Sequence, residues 1–186
     1  DDIVGILDLL FVNKGTSLNY LVKKDSLTFK SQDSSNAYSG IIDFKPFYFT
    51  ANFAYQGLST KNLFNDDSLI VDFLKIDILN NKNLNTDIKL KVKDIINIDE
   101  LNNLFLKMNI KQGDVGFSGS TINWRESVKI TLSESLLIQE NNEINLIGKF
   151  IFDFIDLNNF YRSLQINKNN RKKINQIQID FVYSFS

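Results

Sequence analysis

Residues 47–55, which read FYFTANFAY, decide the fold. Successive side chains of a β-strand point to opposite faces, so Phe47, Phe49, Phe53 and Tyr55 fall on one side of such a strand. The intervening positions are mostly polar or small. At about 3.3 Å per residue the stretch extends roughly 30 Å. It predicts a long β-strand with one strongly apolar face.

The same alternation recurs along the chain and predicts a mainly β fold. Ile88, Leu90 and Val92 alternate with Lys89, Lys91 and Lys93, which gives one apolar face and one charged face. Similar patterns cover residues 128–133 and 177–185. Short polar turns at 13–15, 23–25, 112–114 and 140–142 separate apolar runs. Connections this short leave no room for crossover helices, so we expect mostly antiparallel pairing.

Two segments depart from the alternation and predict short amphipathic helices. In the first, residues 67–79, a polar start precedes apolar residues at helical spacing. In the second, residues 156–165, Leu157, Phe160, Tyr161 and Leu164 recur at helical spacing. We expect both helices to lie on the sheet as plugs or lids.

Composition excludes several classes of function. The chain contains no histidine and no cysteine, so triads, thiol nucleophiles and the common zinc sites are excluded. A net charge of -1 provides no general field for nucleic acid, and we expect no nucleic-acid partner. The carboxylate pairs Asp66-Asp67 and Asp99-Glu100 lie beside predicted turns or helix starts, where acids are favoured structurally. We therefore expect a protein that is not an enzyme and that needs no metal or other cofactor.

The 186 residues suit a single domain covering 1–186. No uncharged apolar stretch reaches the roughly 18 to 20 residues of a membrane helix. The abrupt start, Asp1-Asp2 before an apolar run, suggests a fragment of a longer protein.

The function depends on what covers the apolar face. Some cover is required, because each Å² of apolar surface that stays exposed to water costs about 25 cal/mol. A second sheet would make a structural or interaction β-sandwich. A sheet that closes on itself, with lipid outside, would make an outer-membrane β-barrel. A curved antiparallel sheet with an open groove would let acyl chains cover the face. The long runs, rich in Phe and Ile, favour the groove.

Two sets of candidate residues follow from this interpretation. The candidates for acyl-chain contact are the apolar members of three alternating runs: Phe47, Phe49, Phe53, Tyr55, Ile88, Leu90, Val92, Phe150, Phe152 and Phe154. The candidates for lipid headgroups are four cations that follow the second predicted helix: Lys168, Arg171, Lys172 and Lys173. A cation near an anionic lipid surface contributes about 1 kcal/mol of attraction. Ordinary core packing and a solvated turn remain the alternatives for the two sets.

The second half of the chain, residues 84–186, resembles the C-terminal region of bacterial AsmA-like proteins. The resemblance rests on the strand at 87–92, the strand at 104–110 and the glycine turn at 111–115. It continues through residues 148–154, Phe160-Tyr161 and the basic stretch 171–174 before a final aromatic strand. The strand at 45–49 fits loosely.

The resemblance implies a function that alternation alone does not name. AsmA-like proteins are anchored in the inner membrane by an N-terminal helix and extend through the periplasm as a curled sheet. They are thought to carry phospholipid along a hydrophobic groove in support of outer-membrane biogenesis. This chain would then be a periplasmic portion, anchored through a segment outside it, with phospholipid acyl chains and the bacterial envelope membranes as partners.

Overall fold

The computed structural model describes residues 2–11, 14–32, 37–59, 82–140 and 143–185. The described elements are twelve β-strands, one α-helix and a short 3-10 turn, Lys168–Asn170. In chain order the strands and the helix are β1 (Ile3–Phe11), β2 (Lys14–Val22), β3 (Ser26–Ser31), β4 (Ala37–Phe44), β5 (Phe47–Ser59), β6 (Asn85–Ile96), β7 (Leu101–Lys111), β8 (Asp114–Gly116), β9 (Ser120–Trp124), β10 (Val128–Glu140), β11 (Glu143–Phe154), α1 (Leu157–Ser163) and β12 (Gln176–Phe185). The predicted mainly β fold is confirmed.

All twelve strands belong to one sheet, and their order in space largely follows their order in the sequence. Strands β1 to β5 form an antiparallel meander, and so do the strands from β6 to β12. The exception is the β5–β6 pair, which is parallel, with Phe53 opposite Leu90. A parallel pair needs a crossover of a dozen or more residues, and residues 60–84 separate these two strands. The sheet is therefore mixed rather than wholly antiparallel.

Strands β8 and β9 together occupy one position between β7 and β10. The chain leaves the sheet at residues 117–119, where Gly119 has a φ of 88° that favours glycine. Three serines satisfy backbone groups around this interruption. Ser120 Oγ accepts from Lys107 N at 2.9 Å, Ser135 Oγ accepts from Phe117 N at 2.9 Å, and Ser118 Oγ accepts from Ser135 N at 2.8 Å. The side-chain bonds replace ladder bonds that an uninterrupted strand would make.

The predicted turns lie where the sequence places them. The hairpin between β2 and β3 closes with Lys23 N donating to Ser26 O at 2.8 Å. Gln112 and Gly113 have φ values of 53° and 93°, which are typical of a type I′ hairpin turn. Residues 12–13 and 141–142 lie outside the described residues, but the strands that flank them pair antiparallel as expected.

The second predicted helix is confirmed at slightly shorter bounds, Leu157–Ser163 rather than 156–165. It begins at the N-cap Asp156, whose carboxylate accepts from Asn159 N at 2.9 Å. It ends at Leu164, and Gln165 adopts a φ of 55°. The first predicted helix, 67–79, lies outside the described residues, as does the pair Asp66-Asp67.

Candidate functional site

The register of the sheet places the apolar side chains of all its strands on one face. Residues directly opposite each other in a sheet point the same way. Phe53 pairs with Leu90, and Leu90 pairs with Leu106. The same alignment continues across the rest of the sheet. Ile110 on β7 lies opposite Val115, and Val115 lies opposite Leu137. Leu137 in turn lies opposite Leu146 on β11. We call this surface the apolar face.

All ten predicted acyl-contact residues lie on the apolar face. Those of β5 and β6 form one group, and those of β11 form another, with β7 to β10 between them. Phe47, at the end of β5, is 42% exposed. Tyr55, Leu90 and Val92 are buried among their neighbours, so they form the base of the face rather than its open surface.

No second sheet packs against the apolar face within the described ranges, since all twelve strands belong to the same sheet. Among the described elements, extensive contacts occur only between hydrogen-bonded strands. The β-sandwich alternative thus has no second layer in the part of the chain that the structure describes.

The interior of the apolar face is closely packed despite this single layer. One cluster is centred on Leu18, Tyr55 and Val92, with Phe29, Leu106 and other residues packed against it. A second is centred on Ile110, Val115 and Leu137. Exposed apolar side chains on this face lie on the two outermost strands, as with Leu7 on β1 and Ile179 on β12, and at the β4–β5 turn, as with Phe47.

An open apolar space with a volume of about 570 Å³ lies over β1 to β5. Nine side chains of the apolar face line it: Leu7, Thr16, Leu18, Tyr20, Leu27, Phe29, Tyr38, Ile42 and Phe53. Of these nine, only Phe53 was predicted from the sequence. The signal was present, because Leu18, Tyr20 and Val22 alternate with Asn19 and Leu21, but Gly40 interrupts the pattern on β4.

Few polar groups occur on this face. The hydroxyl of Thr16, in the lining of the cavity, is buried and has no hydrogen-bond partner among the described residues. It can donate to, or accept from, a polar atom of a ligand. Burial, reinforced by the neighbouring Tyr38, raises the pKa of Tyr55, so its hydroxyl stays neutral.

Helix α1 covers one end of the apolar face. The ring of Phe160 makes edge contacts with Phe154, at a centroid distance of 5.0 Å, and with Trp124, at 6.4 Å. Trp124 also anchors the β9–β10 hairpin, where it pairs with Val128. The expectation that this helix lies on the sheet is borne out at these contacts.

The predicted headgroup cations lie in the loop between α1 and β12. Lys168, Lys172 and Lys173 are exposed. Arg171 instead holds the loop together, since its Nε donates to Ile166 O at 3.0 Å and its guanidinium lies 6.0 Å from the Tyr161 ring centroid. Tyr161 Oη donates to Lys172 O at 2.5 Å. The loop is thereby fixed beside the end of the apolar face that α1 covers.

The opposite face carries a small hydrogen-bond network across β5, β6 and β7, and exposed apolar residues such as Ile6 and Val182 nearer its edges. Tyr48 Oη and Asn109 Nδ2 both donate to the Asp87 carboxylate. The Tyr48 hydrogen bond is the main reason that the pKa of Asp87 lies below its ordinary value of 3.8, and the same bond raises the pKa of Tyr48. Among the described residues no group of three or more acidic side chains is placed to hold a metal ion.

Comparison with known proteins identifies no relative. No family model matches the chain, and no curated protein or solved structure is detectably similar to it. In the ranges that the structure describes, no helix has both the length and the hydropathy needed to cross a membrane.

Proposed function

We propose that the apolar face is an open groove that binds phospholipid acyl chains, and that the chain is a non-enzymatic lipid-conducting segment of the AsmA-like type. The observation that carries the proposal is a continuous apolar face, spanning a sheet of twelve strands, with no second sheet on it in the described residues. Such a face requires a cover, because each Å² of apolar surface left in water costs about 25 cal/mol. Hydrocarbon chains supply that cover without a polar group that needs a partner.

The distribution of burial supports a curved sheet. A flat single layer leaves one side of every side chain open to water, yet Val92 is 1% exposed and Ile110 is 0% exposed. Burial of this degree in one layer follows if side chains of neighbouring strands lean over one another, as they do on a concave surface. The cavity over β1 to β5 is the part of this groove that the chain's own side chains leave open.

Transport along such a groove needs no catalytic group. A lipid moves along it when successive apolar contacts have similar energies and none is a deep trap. The aliphatic and aromatic side chains that alternate across the sheet provide such contacts. The Thr16 hydroxyl is suited to a glycerol or ester oxygen, and the exposed lysines 168, 172 and 173 are suited to a phosphate at the end covered by α1.

In the cell, the AsmA-like resemblance leads us to place this segment in the periplasm, between the inner and outer membranes. The membrane anchor would lie outside this chain, and the phospholipid would travel toward the outer membrane.

A pair of substitutions on β1 tests the proposal. Leu7 lines the cavity and is 48% exposed, whereas Ile6 points to the opposite face and is 63% exposed. Leu7→Asp places a carboxylate in the groove, and we expect it to abolish phospholipid that co-purifies with the protein, measured by native mass spectrometry. Ile6→Asp adds the same charge one residue away and should leave lipid binding intact. Absence of phospholipid from the unaltered protein, or equal binding by both variants, would contradict the proposal and favour a structural or interaction module.

A further inference from the structure

The side of the sheet opposite to the apolar face carries a group of lysines at its centre. Lys89, Lys91 and Lys93 are the alternating outward residues of β6 and are all exposed, and Lys107 lies on β7 directly opposite Lys89. We call these four residues the lysine face. It lies on the side of the sheet opposite to the apolar face, so its function is independent of what occupies the groove.

The lysine face has no compensating acids at ion-pair distance. The ion pairs of the described residues involve Arg125 and Lys149, and none involves these four lysines. Their neighbours on β5 are uncharged, with Asn52 opposite Lys89 and Ala54 opposite Lys91. The nearest acid on this side of the sheet is Asp87, which accepts hydrogen bonds from Tyr48 and Asn109 and whose pKa is lowered in part by the charge of Lys107.

The arrangement works against the stability of the isolated sheet. Like charges directly opposite in a sheet are destabilising, and Lys89 and Lys107 occupy such a pair, with Asp87 as the one acid that acts on Lys107. Along β6 the lysines repeat every second residue, about 7 Å apart. A local conflict of this kind is typical of a binding surface rather than of a surface selected only for stability.

We propose that the lysine face binds the anionic surface of a phospholipid bilayer. Four ammonium groups spread over two strands form a flat array of point charges, which matches a surface of many phosphates rather than a single bound anion. Phe105 lies opposite Lys91 on the same face and borders a shallow depression of about 290 Å³ with Lys91 and Lys93. Lysines and aromatic rings both occur on protein surfaces that rest at the membrane interface.

The test is co-sedimentation with vesicles at low salt and at about 0.15 M salt. At the higher concentration, charges separated by more than roughly 8 Å are largely screened from each other. Vesicles of phosphatidylcholine that contain phosphatidylglycerol should retain the protein, and this retention should fall with salt. Vesicles of phosphatidylcholine alone should not. The triple variant Lys89→Gln, Lys91→Gln, Lys107→Gln should weaken partitioning on the order of a hundredfold, at about fivefold for each lysine.

Two control variants separate this surface from general charge and from the groove. Lys23→Gln, Lys24→Gln, Lys45→Gln removes the same charge from exposed turns, and we expect partitioning to change by less than about threefold. Leu7→Asp should leave partitioning into anionic vesicles unchanged. Loss of acyl-chain binding in the groove can therefore be distinguished from loss of membrane binding by the lysine face. The lysine-face variant should unfold at the same temperature as the unaltered protein or higher, because it removes a repulsion.

Two outcomes would overturn the proposal. One is a lysine-face variant that still binds anionic vesicles as the unaltered protein does. The other is equal or tighter retention by duplex DNA at the same phosphate concentration, which would assign the surface to another polyanion.

Discussion

Phe150 on β11 and Phe181 on β12 stack with their ring centroids 4.5 Å apart and their planes inclined by 17°. Phe181 reaches this position by crossing over Gly148, its direct partner on β11. A β-carbon at Gly148 would lie 3.2 Å from the Phe181 ring and 3.1 Å from the Ser135 β-carbon. The glycine therefore gives the ring the space to lie flat on the apolar face.

Gly148→Val should displace Phe181 and break this stack. We expect the free energy of unfolding to fall by about 2 kcal/mol, in line with overpacking of an apolar cluster. Gly57→Ala is the matched control, because a β-carbon there would meet Ile96 at an ordinary 3.4 Å. Urea unfolding of both variants measures the difference. A Gly148→Val protein as stable as Gly57→Ala would show that the Phe181 ring does not need the space above Gly148.

Helix α1 should shield the only tryptophan of the chain, Trp124, through the ring of Phe160. Phe160→Ala should shift the fluorescence emission of Trp124 to longer wavelength and lower the free energy of unfolding by about 2 kcal/mol, less than for a fully buried ring. Asn158→Ala changes an exposed residue of the same helix and should leave the emission unchanged. Unchanged emission in Phe160→Ala would mean that the helix does not cover this end of the apolar face.

The Asp87 network predicts a specific dependence of stability on pH. The pKa of Asp87 is lower in the folded state than its ordinary value of 3.8, so its contribution is complete above that value and is lost as pH falls through the folded-state pKa. Tyr48→Phe removes the main cause of the shift, and we expect it to cost about 1 to 2 kcal/mol at pH 7. The cost should shrink below pH 3.8, where Asp87 takes up its proton. Urea unfolding at a series of pH values measures this, and a cost that stays constant with pH would exclude the network as its source.

Much of the apolar face could be predicted from local patterns. Alternation assigned Phe49, Ile88 and Phe152 to one face of a β-structure, and the register of the sheet puts them there. The helical spacing of apolar residues around Phe160 predicted α1 to within two residues at each end. These features depend on neighbouring residues in the sequence, which is why the sequence reveals them.

Features that depend on distant residues were not predictable in the same way. The parallel pairing of β5 with β6 depends on contacts between strands that are separated by residues 60–84, and alternation within each strand does not specify it. The interruption between β8 and β9 is sustained by Ser135, which is distant in sequence but bonds to Phe117. The cavity over β1 to β5 was missed because Gly40 leaves a gap in the apolar pattern, which the ring of Phe29 fills from the next strand.

Photocrosslinking on β11 tests most directly whether hydrocarbon occupies the apolar face. Phe152 lies on that face and Ile151, the preceding residue, points to the other. A photoreactive residue at position 152 should crosslink to phospholipid after irradiation of the protein in phospholipid vesicles or native membranes, and one at position 151 should crosslink far less. Crosslinks from position 152 to protein alone, or equal lipid crosslinks from both positions, would contradict a groove that holds acyl chains.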